Sequence, residues 1–353
     1  MPDKHKTKEW IFRIVLCFCG IFLSLALAEL YLRISSFKYK FSPRTVKING
    51  REELWDVTIN ESDYKDGYVN YKFCYSSNYK GFFDKDNCVP TTLNSLGFRG
   101  PLFNFEKKAD IFRIIFLGDS FIYGQGVFYE KTLVERLKHL LNNRTINGKQ
   151  IEVFNLAVPD SSTEDEIADY IDFGSKLKPD LVIVQWNTND FPSSKIYNDH
   201  FKFITGNYLE AFNPPKLIKW SALGRFLWHT IKTKLVSHQL MELTAFELEL
   251  GKNNFQRLLY LKKQASADNS EFVLLIFPEL IKFENYPYAN LIDSLKKFCQ
   301  ENNIQTLDLL PSLSKYKDKD LWVHPSDHHP NNLAHEIAAM QIYNFLNENY
   351  FDD

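Results

Sequence analysis

The chain has almost no net charge: 42 Lys and Arg stand against 44 Asp and Glu, a formal −2 at pH 7. The lysines are scattered among the acids rather than massed, which excludes bulk attraction to nucleic acid, since that needs a basic face or tail. Cysteine is scarce, with five in 353 residues. Cys17 and Cys19 fall in an apolar stretch and Cys299 in an expected helix. Only Cys74 and Cys88, in a polar loop-like region, are placed to form a disulfide in an oxidising compartment. No CxxC pair occurs, so a zinc site of paired cysteines has no ligands to draw on. Internal repeats and low-complexity tracts are absent. Glycine, at 14, is outnumbered by 30 Phe and 18 Tyr, a balance that suits a packed α/β interior or a groove for sugars or acyl chains.

Long apolar runs are missing with one exception. Residues 10–34, WIFRIVLCFCGIFLSLALAELYLRI, are interrupted only by Arg13, Glu29 and Arg33. At about 1.5 Å per residue they are long enough to cross a bilayer. Lys4, Lys6, Lys8 and Arg13 at the start predict a cytoplasmic segment over 1–9 and an extracytoplasmic remainder after residue 35, periplasmic or at the cell surface. Ala26-Leu27-Ala28 also fits a signal-peptide cleavage site near Ala28, which would release a secreted chain. The return of apolar character at Leu30, Tyr31, Leu32 and Ile34 favours a retained single-pass anchor.

Residues 35–108 are polar, aromatic and rich in turn residues, and read as a lead-in layer ending in LNSLGFRGPLF. From 109 to 350 the pattern is regular. Apolar runs at 111–117, 151–157, 181–186, 272–277 and 304–310 are strand candidates, and they alternate with helical patterns at 130–142, 163–176, 252–268, 288–302 and 331–348. Such alternation predicts a three-layer α/β/α sandwich around a mainly parallel, flavodoxin-like sheet. Residues 192–250 interrupt it with NPPKLIKWSALGRFLWHTIKTKLV. This insertion carries Trp220, Leu223, Phe226, Leu227 and Ile231 on an amphipathic helical segment, suited to a lid, a membrane-facing helix, a dimer contact or an ordinary covering helix.

In open parallel sheets the working groups gather past the carboxyl ends of the strands. The first strand runs into Gly118-Asp119-Ser120, where Ser120 is either a nucleophile at a helix amino terminus or simply its N-cap. The pattern is not GxSxG, which excludes the nucleophile elbow of the α/β-hydrolases. After the second strand comes NLAVPDSST, a turn with backbone amides free to donate to an anion. After the third comes WNTNDF, with Asn189 either an oxyanion donor or a turn residue. Near the carboxyl terminus HPSDHHPNNLAH brings an Asp and histidines together. A serine needs a base of near-neutral pKa, and that base a carboxylate to orient it. In an extended stretch Asp327 and His329 point to one side and His328 to the other, which selects His329. His324 and His328 make a zinc pair only on a helix, and Pro325 breaks that region.

Taken together these blocks resemble the SGNH hydrolases, also known as GDSL esterases and lipases, over about residues 94–348. GDSFIYGQGV is similar to the nucleophile block, NLAVPDSST to the glycine block, NTND to the asparagine block and DHHPNNLAH to the histidine block. GFRG, Gly97 to Gly100, with the amino-terminal apolar segment, is similar to a membrane-anchored bacterial branch. The resemblance implies Ser120 as nucleophile, His329 as general base and acid, and Asp327 as its partner. It further implies an oxyanion hole of the Ser120 amide, the Asp160 amide and the Asn189 side chain, with no metal or organic cofactor. Three positions depart from the pattern: Asp160 stands for the second-block glycine, Asn187 for a glycine before Asn189, and Ser326 where an acid is usual. The implied activity is hydrolysis of carboxylic O-acyl or acetyl esters on cell-surface carbohydrate or lipid. An O-acyltransferase with the same residues, or a catalytically impaired binding or assembly protein, are the alternatives.

Overall fold

The computed structural model describes residues 4–34, 44–48, 51–55, 64–65, 68–77, 82–159, 161–188, 218, 220–228, 231, 254–324 and 327–351, with residues 4–8 and 44–88 described by backbone alone. The chain divides into two units, one of residues 1–41, 76–84 and 201–240 and one of 42–75, 85–200 and 241–353. The first contains helix α1, Lys4–Ile34. Within Glu9–Ile34 an 18-residue window reaches a mean hydropathy of 2.5.

The second unit begins with an antiparallel hairpin of β1 (Arg44–Ile48) and β2 (Arg51–Trp55). β3 (Tyr64–Lys65), β4 (Tyr68–Ser77) and β5 (Phe82–Leu93) follow as a three-stranded sheet in that order. Cys74 and Cys88 lie on neighbouring strands of it, but their side chains are outside the described residues, so the disulfide expectation is not addressed. The main sheet comprises β6 (Ile111–Leu117), β7 (Thr145–Ile146), β8 (Lys149–Asn155), β9 (Leu181–Trp186), β10 (Glu271–Ile276) and β11 (Gln305–Asp308). Its order is β11-β10-β9-β6-β8-β7, parallel except for the short edge strand β7. The chain winds from β6 outward to β8, then crosses to β9 on the other side of β6. That is the flavodoxin-like order, with its switch point between β6 and β9.

Every residue of β6 and β9 is buried, because helices cover both faces. Alternation sorts the side chains. Ile114, Phe116, Ile183 and Leu275 join α3 (Leu133–Leu141) and the carboxyl-terminal helix Asn332–Asn349 in one core. Ile115, Leu117, Val184 and Leu274 join Tyr170, the 254–267 helix and the Ala289–Glu301 helix in the other. At about 1.5–3 kcal/mol for each fully buried large apolar side chain, these two cores supply the main drive to fold. The one cation of β6, Arg113, is fully buried yet saturated: it donates to Phe105 O, Leu177 O, Glu106 O and the Glu152 carboxylate.

Two sequence expectations are corrected in detail. The 163–176 helix is not continuous, since α4 (Thr163–Asp169) passes into a π turn, Tyr170–Gly174, and a 3-10 turn, Ser175–Leu177. A Cβ on Gly174 would stand 3.1 Å from Ile115 Cδ1, so the wider turn rides close over the sheet. The 130–142 pattern resolves into a 3-10 turn, Tyr129–Lys131, followed by α3. The histidine block leads into the last helix. It forms a hairpin of β12 (Trp322–His324) and β13 (Asp327–Pro330), and Asn331 starts the helix by accepting the Leu333 and Ala334 N–H groups at 3.0 and 3.1 Å.

His335, on that helix, is fully buried and its Nδ1 accepts the Leu133 N–H at 3.1 Å, capping α3 in place of a side chain from α3's own sequence. Burial, with the positive charges of Arg99, Arg136 and His329, pushes it down to about 3 from an ordinary 6.5. Between those values the unfolded chain binds a proton that the folded chain refuses, so stability falls as pH drops, by up to about 1.4 kcal/mol per pH unit. Thermal unfolding at pH 7 and pH 4.5 in detergent is expected to show a loss about 2 kcal/mol larger for the native chain than for His335→Gln.

Candidate functional site

The site forms where β6 ends at the switch point. Gly118 makes the turn possible: a Cβ there would lie 2.5 Å from Gln185 Oε1 and 2.9 Å from Ile122 Cγ1. Gln185, buried on β9, uses that approach to accept the Asp119 N–H at 2.9 Å. Asp119 is itself buried and accepts the Phe121 N–H at 2.8 Å, so it is the N-cap of α2 (Ser120–Tyr123). The hydroxyl of Ser120 is therefore not the cap. It is left for a longer-range partner, while its N–H, at the first helical position, has no intrahelical acceptor.

That partner is His329, whose Nε2 lies 2.9 Å from Ser120 Oγ. The other ring nitrogen, Nδ1, lies 2.5 Å from Asp327 Oδ1, and Asp327 also accepts the His329 backbone N–H at 3.1 Å. The two-residue spacing works because β13 is extended, which puts residues 327 and 329 on one side. His328 faces away and stacks on Trp322 with ring centroids 3.8 Å apart. Trp322 is fixed in turn by donating to Leu280 O at 2.6 Å. Phe121 packs edge-on to the His329 ring at 5.7 Å and to Phe277 at 5.2 Å.

Electrostatics reinforce this geometry. Burial disfavours charge on His329, but the hydrogen bond and negative charge of Asp327, helped by Asp119 and Glu279, outweigh it and hold the imidazole above its ordinary value. Burial also raises the Asp327 carboxyl, and the contacts with His329 more than reverse that. The arrangement holds a hydroxyl, an imidazole and a carboxylate in series, ready to take a proton from Ser120 Oγ.

Of the residues expected at an oxyanion hole, Ser120 is described above, whereas Asp160 and Asn189 lie outside the described residues, as do Pro325 and Ser326. The second block is nevertheless tied to the first, because Val158 N–H donates to Gly118 O at 3.1 Å. Asn187 is buried, with its Oδ1 accepting the Thr188 N–H at 2.5 Å. Among the described residues no three His, Cys, Asp or Glu side chains converge as metal ligands.

Sequence reasoning missed the frame around these groups. Arg99, only 3 % exposed, donates to Tyr123 O, Gly124 O and Val127 O at 3.0, 2.6 and 2.6 Å. Its guanidinium gathers the loop that follows α2. Gly124 and Gly126 have φ of 77° and 79°, and a Cβ on Gly124 would stand 2.4 Å from Thr132 Cγ2. Gly124 thus lets the chain turn against the start of α3. Asn155 closes the other side, donating to Ile122 O and accepting the Ala157 N–H. An arginine within Gly97-Phe98-Arg99-Gly100, an amide inside β9 and another at the end of β8 are the signals of these roles in the sequence.

A family model described as GDSL-like lipase/acylhydrolase matches residues 116–337. Several solved structures are similar to about two thirds of the chain. The psychrotrophic esterase EstA from Pseudoalteromonas sp. shares 14% identity over 67% of this chain and 97% of its own, with a TM-score of 0.42. A lipase/acylhydrolase from Enterococcus faecalis shares 13% over 69% and 98%, at 0.42. Axe2, an acetylxylan esterase from Geobacillus stearothermophilus seen as a catalytic mutant, shares 15% over 68% and 94%, at 0.44. No curated protein matches the chain.

Replacing Arg99 by Lys keeps the charge but loses the planar fork that reaches three carbonyls. The Arg99→Lys chain is expected to lose about 2–3 kcal/mol in denaturant unfolding, the worth of charge-assisted hydrogen bonds to buried carbonyls. Amide exchange should quicken over 120–127 while the β9 and β10 amides stay protected.

Proposed function

The chain belongs to the GDSL-like lipase/acylhydrolase family and is an ester-hydrolysing enzyme, and from that premise we propose that it works as a membrane-tethered serine esterase through Ser120, His329 and Asp327. The observation that carries this reading is the unbroken run of contacts from Ser120 Oγ to His329 Nε2 and from His329 Nδ1 to Asp327 Oδ1. In the proposed reaction Ser120 attacks the ester carbonyl and His329 takes its proton. Asp327 holds the Nδ1–H tautomer and stabilises the imidazolium. His329 then returns the proton to the departing alcohol. A water molecule, deprotonated by the same imidazole, releases the acyl group.

Charge on the tetrahedral intermediate falls to the Ser120 N–H, the Asp160 N–H and the Asn189 side chain. The first of these is aimed by the Gly118–Gln185 contact, which fixes the peptide ahead of α2. The substrate class is an O-acyl or acetyl ester of cell-surface carbohydrate or of lipid. Its site of action outside the cytoplasm is supported by α1, which carries Lys4, Lys6 and Lys8 ahead of an apolar span long enough to cross a bilayer.

The full-length chain in detergent is expected to hydrolyse p-nitrophenyl acetate and to be labelled by a serine-directed phosphonate. Ser120→Ala should lose both; turnover or labelling that survives the substitution would sink the assignment. Removing one oxyanion donor in Asn189→Ala should lower kcat by about 10²–10³-fold, with the phosphonate label slower but retained.

The pH profile follows from the raised imidazole. His329 is a base only when neutral, so kcat/KM should fall as pH drops through an inflection above the ordinary 6.5. Asp327→Asn removes the main group holding that value up, and should shift the inflection downward while costing on the order of 10⁴-fold in kcat.

A further inference from the structure

α1 does not end alone in its unit. Glu29 Oε1 accepts the Ala222 N–H at 2.9 Å, and its Oε2 accepts the Leu223 N–H and the Ser221 hydroxyl, each at 2.8 Å. These are the first N–H groups of the helical stretch 222–228, which helix geometry leaves without partners of its own. Arg33 donates to Glu29 Oε1 and to Trp220 O, both at 2.7 Å. Leu32 and Ala222 are buried against each other, with Leu223 and Phe226 packed around them. A carboxylate costs much inside an apolar span, and here it serves as the cap of a second helix.

Length sets this junction at a membrane boundary. Trp10 and Glu29 are separated by about 28 Å of helix at 1.5 Å per residue, against a hydrocarbon core of ~30 Å. With Trp10 at one face of the membrane, Glu29 and the stretch it caps arrive at the other.

The capped stretch has two apolar faces. Ala222 and Phe226, four residues apart, meet α1. Leu227 and Ile231 are four residues apart, the spacing of one helix face, and Trp220 stands in the turn just ahead of the stretch. Trp220, Leu227 and Ile231 are 81%, 47% and 58% exposed. The large apolar residues of α1 from Trp10 to Ile34, Leu32 apart, are exposed in the same way, so the bare stripe continues a surface already suited to lipid. Residues 211–240 contain no Asp or Glu but carry Lys216, Lys219, Arg225, Lys232 and Lys234. An apolar face bearing Trp and Leu within a wholly cationic segment has the chemistry of a helix lying in an anionic bilayer surface.

We infer that the helical stretch 222–228 lies in the membrane interface, with Leu227, and with Trp220 and Ile231 on either side of the stretch, seated in the acyl-chain boundary of the membrane that α1 spans, and that Glu29 fixes it there. This inference rests on α1 being a retained anchor. The occupant is lipid: the stripe opens on the flank of the spanning helix itself, at the depth where headgroups give way to acyl chains.

The test uses the full-length chain with p-benzoylphenylalanine at Phe18, Leu227 or Tyr316, reconstituted in vesicles of phosphatidylcholine with phosphatidylglycerol carrying labelled acyl chains, then irradiated. Phe18 reports the anchor and Tyr316 an exposed residue of the other unit. Lipid adducts are expected at Phe18 and Leu227, with Leu227 roughly tenfold above Tyr316. Glu29→Ala should cut the Leu227 adduct several-fold and leave that at Phe18 unchanged. Labelling at Phe18 without labelling at Leu227 above Tyr316 overturns the inference and leaves the anchor standing. No adduct at Phe18 overturns the anchor and the inference together. A Leu227 adduct to a second copy of the chain, in place of lipid, assigns the stripe to dimer formation and also overturns it.

Discussion

The site depends on one contact closed across 209 residues, Ser120 Oγ against His329 Nε2 at 2.9 Å. Neither residue reaches the other through local structure. Ser120 is delivered by β6, the buried strand beside the switch point, and His329 by a short hairpin hung between β11 and the last helix. The sheet makes the first position rigid, since β6 is paired on both sides and covered on both faces. The hairpin has no such support, and its position is held by side chains. Asn331 donates to Asp320 O and Trp322 O while capping the helix behind it, and Trp322 is clamped to Leu280 O. A displacement of about 1 Å at either end would cost a reaction that depends on aligned proton transfer on the order of 100-fold. The packing around a few polar atoms is thus part of the chemistry.

Charge is placed with the same economy. The buried polar groups near Ser120 are spent on backbone: Gln185 on the Asp119 N–H, Asp119 on the Phe121 N–H, Asn155 on Ile122 and Ala157, Arg99 on three carbonyls. None of them competes for the Ser120 hydroxyl. Two carboxylates, Asp119 and Glu279, stand near enough to His329 to raise its proton affinity along with Asp327. The imidazole is therefore a stronger base than burial alone would leave it. Removing His328 to the face of Trp322 keeps a second imidazole from sharing Asp327.

Much of this was legible in the residues. β6 and β9 were read to the residue because strands buried on both faces are unbroken apolar runs, and 111–117 and 181–186 are bounded by polar or turn residues. Ser120, Asp327 and His329 could be named because strand ends, an extended two-residue spacing and the family resemblance converged on them. The hairpin carrying His329 was hidden, since two strands of three and four residues, interrupted by Pro325, have no periodicity to read. Arg99 was hidden for a different reason. Its partners are carbonyl oxygens, which every residue possesses, so nothing at positions 123, 124 or 127 advertises the pairing. Gly124 and Gly126 signalled a bend but not the surface it bends against.

The position that most constrains the proposed mechanism is Asp160, where the family pattern has glycine. A backbone N–H survives that exchange, so the donor itself is not lost. The added carboxylate is another matter: at an effective dielectric near 20, two negative charges about 4 Å apart repel by about 4 kcal/mol. An oxyanion donor is worth about 2.7–4 kcal/mol. An Asp160 carboxylate facing the reacting carbonyl would thus cancel the contribution of a whole donor. For the hole to stabilise charge, that side chain must turn toward water, where screening reduces the repulsion, or toward a cation or an N–H of its own. Asp160 is followed by Ser161, Ser162 and Thr163 at the start of α4. The cap of α4 is already made by Ser162, with Asp165 closing the box, so the proposed hole asks that the Asp160 carboxylate be screened by water and not by that helix.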